Sequence, residues 1–132
     1  MATNKKVGND FEAEFCDILS ANGLWVHNMA QNKAGQPADV IAVKDKTAYL
    51  IDCKVCGNER FSLSRVEENQ HFAMGLWKQC GNGEGWFALK VNDEIIMIPH
   101  FNMVALSYAQ SSLNLQDMRE NGVPLGRWLK KC

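Results

Sequence analysis

Two short apolar runs, 40–43 and 48–51, flank the charged segment Lys44-Asp45-Lys46-Thr47, and no other stretch restricts the folding of this chain as tightly. Both runs are rich in β-branched and aromatic residues, so 38–54 (ADVIAVKDKTAYLIDCK) is predicted as a β-hairpin with Asp45-Lys46 at its tip. A symmetric loop, whether short or longer, pairs Val43 with Ala48 and Ile41 with Leu50, which sets Asp39 opposite Asp52. Opposed residues of an antiparallel pair have Cβ atoms about 4.5–5.5 Å apart, and like charges at that distance repel unless something neutralises them. A divalent cation would do so. The two-residue period of a strand places Lys54 on the face of Asp52 and turns Cys53 to the other side.

Two acids and a lysine at one end of a hairpin suit metal-assisted attack on a phosphodiester. Carboxylate oxygens bind Mg²⁺ or Mn²⁺, and such an ion lowers the pKa of a bound water to make the nucleophile. Lys54 would position that water or steady the charge that develops on phosphorus. The plain alternative makes Asp39 a turn acid after Pro37, with Asp52 and Lys54 on an ordinary solvated strand face. The full pattern favours the first reading: Gln-Pro-Ala-Asp, two apolar strands, then Ile-Asp-Cys-Lys, with an acid at the start of a buried strand.

The residues Gly8-Asn9-Asp10-Phe11-Glu12, Pro37-Ala38-Asp39-Val40-Ile41-Ala42, Leu50-Ile51-Asp52-Cys53-Lys54, the segment 66–71 and the segment 96–99 follow a known order. In that order and spacing the chain resembles the PD-(D/E)xK nucleases, and among them the Holliday-junction resolvases of archaeal and RecU type, over roughly residues 5–105. The resemblance implies an α/β fold with a restriction-endonuclease-like core, a central mixed β-sheet flanked by helices. It makes Asp39, Asp52 and Lys54 the catalytic core, Glu12 on the first helix an extra acidic ligand, and Gln70 a polar helix residue beside the site. Glu12, Asp39 and Asp52 would then be the metal ligands, helped by the Cys53 carbonyl, with Mg²⁺ as cofactor and Mn²⁺ able to substitute. Three departures stand out: a residue separates Pro37 from Asp39, the second acid is Asp rather than Glu, and the long insertion of RecU-type enzymes is absent. The implied substrate is branched DNA, a four-way junction. Because symmetric cleavage needs two active sites, a homodimer is expected. The alternatives are the same chemistry on flap or linear DNA in phage DNA processing, and a silent DNA-binding module that kept the fold.

At 132 residues with 46% hydrophobic side chains, the chain can build one core, so 1–132 is expected as a single nuclease domain with a basic arm at 1–7 and a helical extension at 101–132. No apolar run is long enough to span a membrane, and the first residues lack a signal-peptide pattern, so a cytoplasmic location without membrane attachment is expected. Five cysteines without scaffold spacing fit a reducing compartment. A net charge of −1 is low for a nucleic-acid binder, but divalent ions held by the acids would place positive charge where a phosphate approaches. Lys5, Lys6, Lys33, Arg60 and Arg65 are the basic residues expected to contact DNA.

Along the chain, a helix is predicted from Asn9 or Asp10 to about Asn22, with Phe11, Phe15, Ile18 and Leu19 on one stripe, Glu12 at its edge and Asn22-Gly23 as C-cap. By itself Glu12 reads as a first-turn acid favoured by the helix dipole. A strand at 24–29 leads to the polar loop 31–36, where Lys33 and Asn32 either meet the scissile phosphate or only connect. Residues 55–62 are predicted as an irregular connection, and a helix capped by Ser62 or Ser64 runs to about Lys78 with Val66, Asn69 or Gln70, Ala73, Leu76 and Trp77 on one face. Gln70 on that face either bonds locally or reaches the site, and His71 lies off it, a poor choice for a general base. Strands are predicted at 86–91 and 95–98, then one or two helices at 101–122, then an amphipathic, basic end that could clasp the core, a second subunit or DNA. Cys53 and Cys56 have opposite strand parity and cannot share a metal, and no Walker loop, G-x-S-x-G or H-E-x-x-H motif is present.

Overall fold

A computed structural model describes residues 3–29, 36 and 38–132 of the chain. The hairpin forms with the predicted register. Strand β2 (Val40–Lys44) pairs antiparallel with β3 (Thr47–Cys56), Val43 against Ala48 and Ile41 against Leu50. The turn holds only Asp45 and Lys46, both with positive φ (50° and 69°), the conformation that matches the right-handed twist of the flanking strands.

Around this hairpin a six-stranded mixed sheet assembles in the order β1-β2-β3-β5-β6-β8, where β1 is Trp25–Asn28, β5 Trp86–Val91, β6 Glu94–Pro99 and β8 Val123–Pro124. Among the described strands only β3 and β5 pair in parallel. Helix α2 (Glu68–Gln79) lies in the connection between them, as parallel neighbours require. Because the central strands are covered on both sides, their residues alternate between two cores. Ile51, Val40, Ala88 and Met97 pack with Phe11, Phe15 and Leu19 of α1 (Asn4–Ala21) and with Leu125 and Trp128 of α5 (Leu125–Lys130). Leu50, Phe87, Leu89, Ile96 and Ile98 pack on the other side with Met74 of α2, Met103 of α3 (His100–Ala109) and Met118 of α4 (Leu115–Asn121). Gly85, just before β5, is required by this layer, since a Cβ there would fall 2.5 Å from the Met74 side chain.

Four segments differ from their predicted form. The basic arm is mostly helix, because the Thr3 hydroxyl accepts a hydrogen bond from the Lys6 amide (3.1 Å) and starts α1 at Asn4. Residues 55–62 are not irregular. β3 runs on to Cys56, and β4 (Arg60–Ser62) pairs with β7 (Ser112–Asn114) to form a separate two-stranded sheet. Helix α2 starts at Glu68 rather than near Ser62 or Ser64, whose hydroxyls bond each other (2.9 Å) beside a 3-10 turn at Leu63–Arg65. Its buried positions are Gln70 and Met74, and Leu76 faces outward. Finally, the 101–132 segment is not a helical appendage: β7 and β8 join the sheets, and Leu113, Leu125 and Trp128 are buried. Among the described residues no helix is long and apolar enough to cross a membrane.

Candidate active site

The hairpin fixes the two acids by different means. Asp39 lies one residue beyond the last ladder pair, Val40 with Ile51, and its backbone amide still donates to the Ile51 carbonyl (3.1 Å). One step further the ladder is replaced by a side chain: the Cys53 amide donates to Asp39 Oδ2 at 2.8 Å. Asp52 projects from the middle of β3 on the α2 side and is 1% exposed. Both carboxylates thus sit on the buried part of the sheet, at the floor of an open basin of about 750 Å³.

Lys54 and Gln70 complete the cluster. Lys54 Nζ lies 3.1 Å from Asp52 Oδ2 as an ion pair, and beyond that charge this buried oxygen has no hydrogen bond of good geometry. The other oxygen, Oδ1, accepts from Gln70 Nε2 (3.2 Å). Gln70 Oε1 accepts from the Glu67 amide (3.1 Å) and, more weakly, from Lys54 Nζ (3.4 Å). With the Glu67 carboxylate on the Gln70 amide, this is a capping box, so the bond that starts α2 also aims Gln70 at Asp52.

The electrostatics are unbalanced. Burial pushes the Asp52 carboxyl well above its ordinary value, the Asp39 charge pushes it further, and Lys54 offsets only part of this. Such a site binds a proton or a cation in preference to standing empty of positive charge. The Cys53 thiol is also raised, by burial and then by Asp39, Asp52 and Glu12, so it is inert. Cys53 packs toward α1 and Cys56 belongs to the opposite core, which removes a shared metal site, and all five cysteines are free thiols.

Glu12 is buried (6% exposed) on α1, close enough for its charge to act on Cys53 and Cys16. Among the described residues no three His, Cys, Asp or Glu side chains gather with metal-ligand spacing. The donor set is therefore two adjoining carboxylates, one with an oxygen that lacks a hydrogen bond. That fits Mg²⁺ or Mn²⁺, which keep several waters and need one or two carboxylates, and does not fit a closed cage.

Of the basic residues, Arg65 lines the basin, held by a hydrogen bond from Nη1 to the Val55 carbonyl (2.9 Å) and by stacking 5.3 Å above the Phe61 ring. Lys6 is paired with Asp10 (3.0 Å) on the exposed side of α1, and Lys5 is exposed on the same first turn. Arg60 is exposed on β4 and does not line the basin. Lys33 and Asn32 lie outside the described residues. His71 does not line the basin either, because its Nδ1 is 3.0 Å from His100 Nε2. Sequence reasoning missed Glu67 and Gln36. Glu67 was legible as a Glu three residues ahead of a Gln. Gln36 stood in the Gln-Pro-Ala-Asp pattern with no role of its own to signal it; its side-chain amide donates to the Met29 and Ala38 carbonyls (3.3 and 2.9 Å) while its backbone carbonyl accepts from Asn69 (3.2 Å).

A search of curated proteins finds no match. Among solved structures, the fold is similar to that of Hjc from Archaeoglobus fulgidus, a Holliday junction resolvase from an archaeal hyperthermophile. The TM-score is 0.71 at 17% identity, covering 92% of this chain and 99% of that one. At such identity the likeness speaks for the fold, and the sequence speaks through a family profile. The profile of the archaeal Holliday junction resolvases (Hjc) matches residues 3–131, from the cap of α1 to the end of α5, and by that match the chain belongs to the Hjc family.

Proposed function

We propose that this protein is a divalent-metal-dependent endonuclease that hydrolyses phosphodiester bonds in four-way DNA junctions. The observation that carries the chemistry is Asp52: a carboxyl 1% exposed, next to a second carboxylate, with one oxygen that has the Lys54 ion pair beside it and no hydrogen bond of good geometry. Asp39 and Asp52 would hold the ion, Glu12 would support it from α1, and the Cys53 carbonyl would complete the oxygen set. When bound, Mg²⁺, or Mn²⁺ in its place, supplies a water of lowered pKa and polarises a phosphate oxygen.

The chain's own groups do the rest. Lys54 orients the attacking water and stabilises the charge developing on the phosphoryl oxygens, a role that a fixed ammonium plays better than solvent does. Gln70 keeps Asp52 and Lys54 in register, because one amide touches both. Arg65, its guanidinium fixed against Phe61, offers a phosphate contact at the rim. A junction is cut at two symmetry-related points, so the working form is a C2 dimer. The surface suited to a second copy is the outer face of α2 and the start of α3, where Phe72 (71% exposed), Leu76 and Phe101 face solvent.

Cleavage of a four-way junction and of a matched linear duplex, each with Mg²⁺ and with chelator, tests this reading. Paired nicks in the junction only, lost in chelator, are expected. Equal cutting of the duplex would move the substrate to linear or flap DNA, and binding without cutting in any divalent ion would leave a silent nuclease fold.

A further inference from the structure

The described glycines divide by what a side chain would meet. At Gly85 and Gly122 a Cβ would collide with the core at 2.5–2.9 Å, and Gly23 and Gly81 hold positive φ (86° and 105°). Gly8, like Gly75 in α2 and Gly126 in α5, has neither reason, and of these three helix glycines it alone lines the basin of Asp39 and Asp52. It lies inside the 18-residue α1 with helical backbone, and nothing stands within 4 Å of the position its Cβ would take. Glycine in a helix interior is the least favourable residue after proline, and alanine would fit here without a clash. Folding therefore gives no cause for it.

The place supplies one. Asn4, Val7 and Gly8 form the α1 wall of the basin that holds Asp39 and Asp52. Residues four apart share a helix face, so Asn4, Gly8 and Glu12 run in one row, from the rim at Asn4 to the buried carboxylate of Glu12. Arg65 and Gly57 line the same basin, and Gly57 is a second glycine there with open space at its Cβ position. A chain of phosphates reaching the acids must pass along these groups. We infer that Gly8 is where the backbone of the cut strand packs directly on α1, a substrate-positioning residue that works by having no side chain. This rests on the junction-nuclease reading above and names the contact that brings the strand to the acids.

The test is a graded series, Gly8→Ala and Gly8→Leu, with Gly126→Ala as control. Gly126 is a glycine in α5 with open space at its Cβ position and no place in the basin. Melting temperature, four-way-junction affinity in chelator and junction cleavage in Mg²⁺ are measured for each. Gly8→Ala should melt about 2–6 °C higher than wild type, as a relieved helix glycine does. Its junction affinity should nevertheless fall about tenfold, with a larger fall for leucine, since extra atoms in a close-packed contact are costly. Gly126→Ala should bind and cut as wild type does. If both Gly8 variants keep wild-type affinity and cleavage, the inference falls while the nuclease reading stands. A lower melting temperature for Gly8→Ala would also overturn it, by making Gly8 structural. If wild type itself neither binds nor cuts a junction, both fall together.

Discussion

Gln70 and His71 are neighbours on α2, and each is a polar side chain facing a polar partner, but the two contacts have opposite characters. His71 meets His100 ring to ring, Nδ1 to Nε2 at 3.0 Å, and burial lowers the pKa of both rings, so the pair is stable as two neutral imidazoles that satisfy each other. Gln70 meets Asp52, where burial and Asp39 raise a carboxyl that Lys54 only partly compensates and one oxygen still lacks a hydrogen bond of good geometry. The first contact is complete without any ligand. The second is finished only by something positive. Unrelieved electrostatic tension, more than polarity or burial alone, separates the site from a structural contact one residue away.

Substitution at Asp52 breaks this difference most severely. On the proposed role of Asp52 as a metal ligand, Asp52→Asn should lower junction cleavage on the order of 1,000-fold or more, because the ligand charge is lost while the shape remains. The same change should help folding. A carboxyl with a raised native pKa binds more protons folded than unfolded above its ordinary value of 3.8, so metal-free stability falls as pH rises through the native pKa. Without metal, Asp52→Asn should therefore melt higher than wild type at pH 8, with the gap closing toward pH 4. A melting series across that range checks it.

Lys54→Ala comes next, with a loss on the order of 100- to 1,000-fold in single-turnover rate and little change in junction affinity. Gln70→Ala should cost about 10- to 100-fold in activity or metal affinity, the range for a group that orients a ligand. It should also destabilise α2 by about 1 kcal/mol through the lost cap. Gln70→Glu, which keeps the acceptor for the Glu67 amide, separates the two effects: the helix recovers and cutting does not.

The smallest effect belongs to the other contact. His71→Phe should leave junction cutting per dimer unchanged and cost about 1 kcal/mol, the net worth of one hydrogen bond. Its pH signature has the opposite sign to that of Asp52. Lowered native pKa values mean that the unfolded chain binds more protons below about 6.5, so this part of the stability is lost as pH falls through that region. Denaturation of wild type and His71→Phe from pH 7.5 to 5 should show a steeper decline in wild type.

How much of this was legible in the sequence follows from the range of each interaction. The hairpin register was, since a two-residue loop and an alternating pattern leave one pairing that buries the apolar face, and the parity of Asp52, Cys53 and Lys54 follows from it. The start of α2 was not. Ser62 and Ser64 are good capping residues that bond each other, and the actual cap is the less usual Glu67 with Gln70. The β4–β7 pair joins three-residue strands some fifty positions apart, too short to carry a pattern and too distant to signal each other. Gln70 was visible as a polar residue on an apolar face, but which partner it had depended on where the helix began.

In the function proposed here the Asp39–Asp52 pair holds a divalent cation in place of a proton. Calorimetric titration of Mn²⁺ into the protein near neutral pH, repeated in buffers of different ionisation enthalpy, tests it without any DNA. Binding with proton release is expected for wild type, and loss of both for Asp39→Asn and Asp52→Asn. Equal Mn²⁺ binding by wild type and both variants would contradict it.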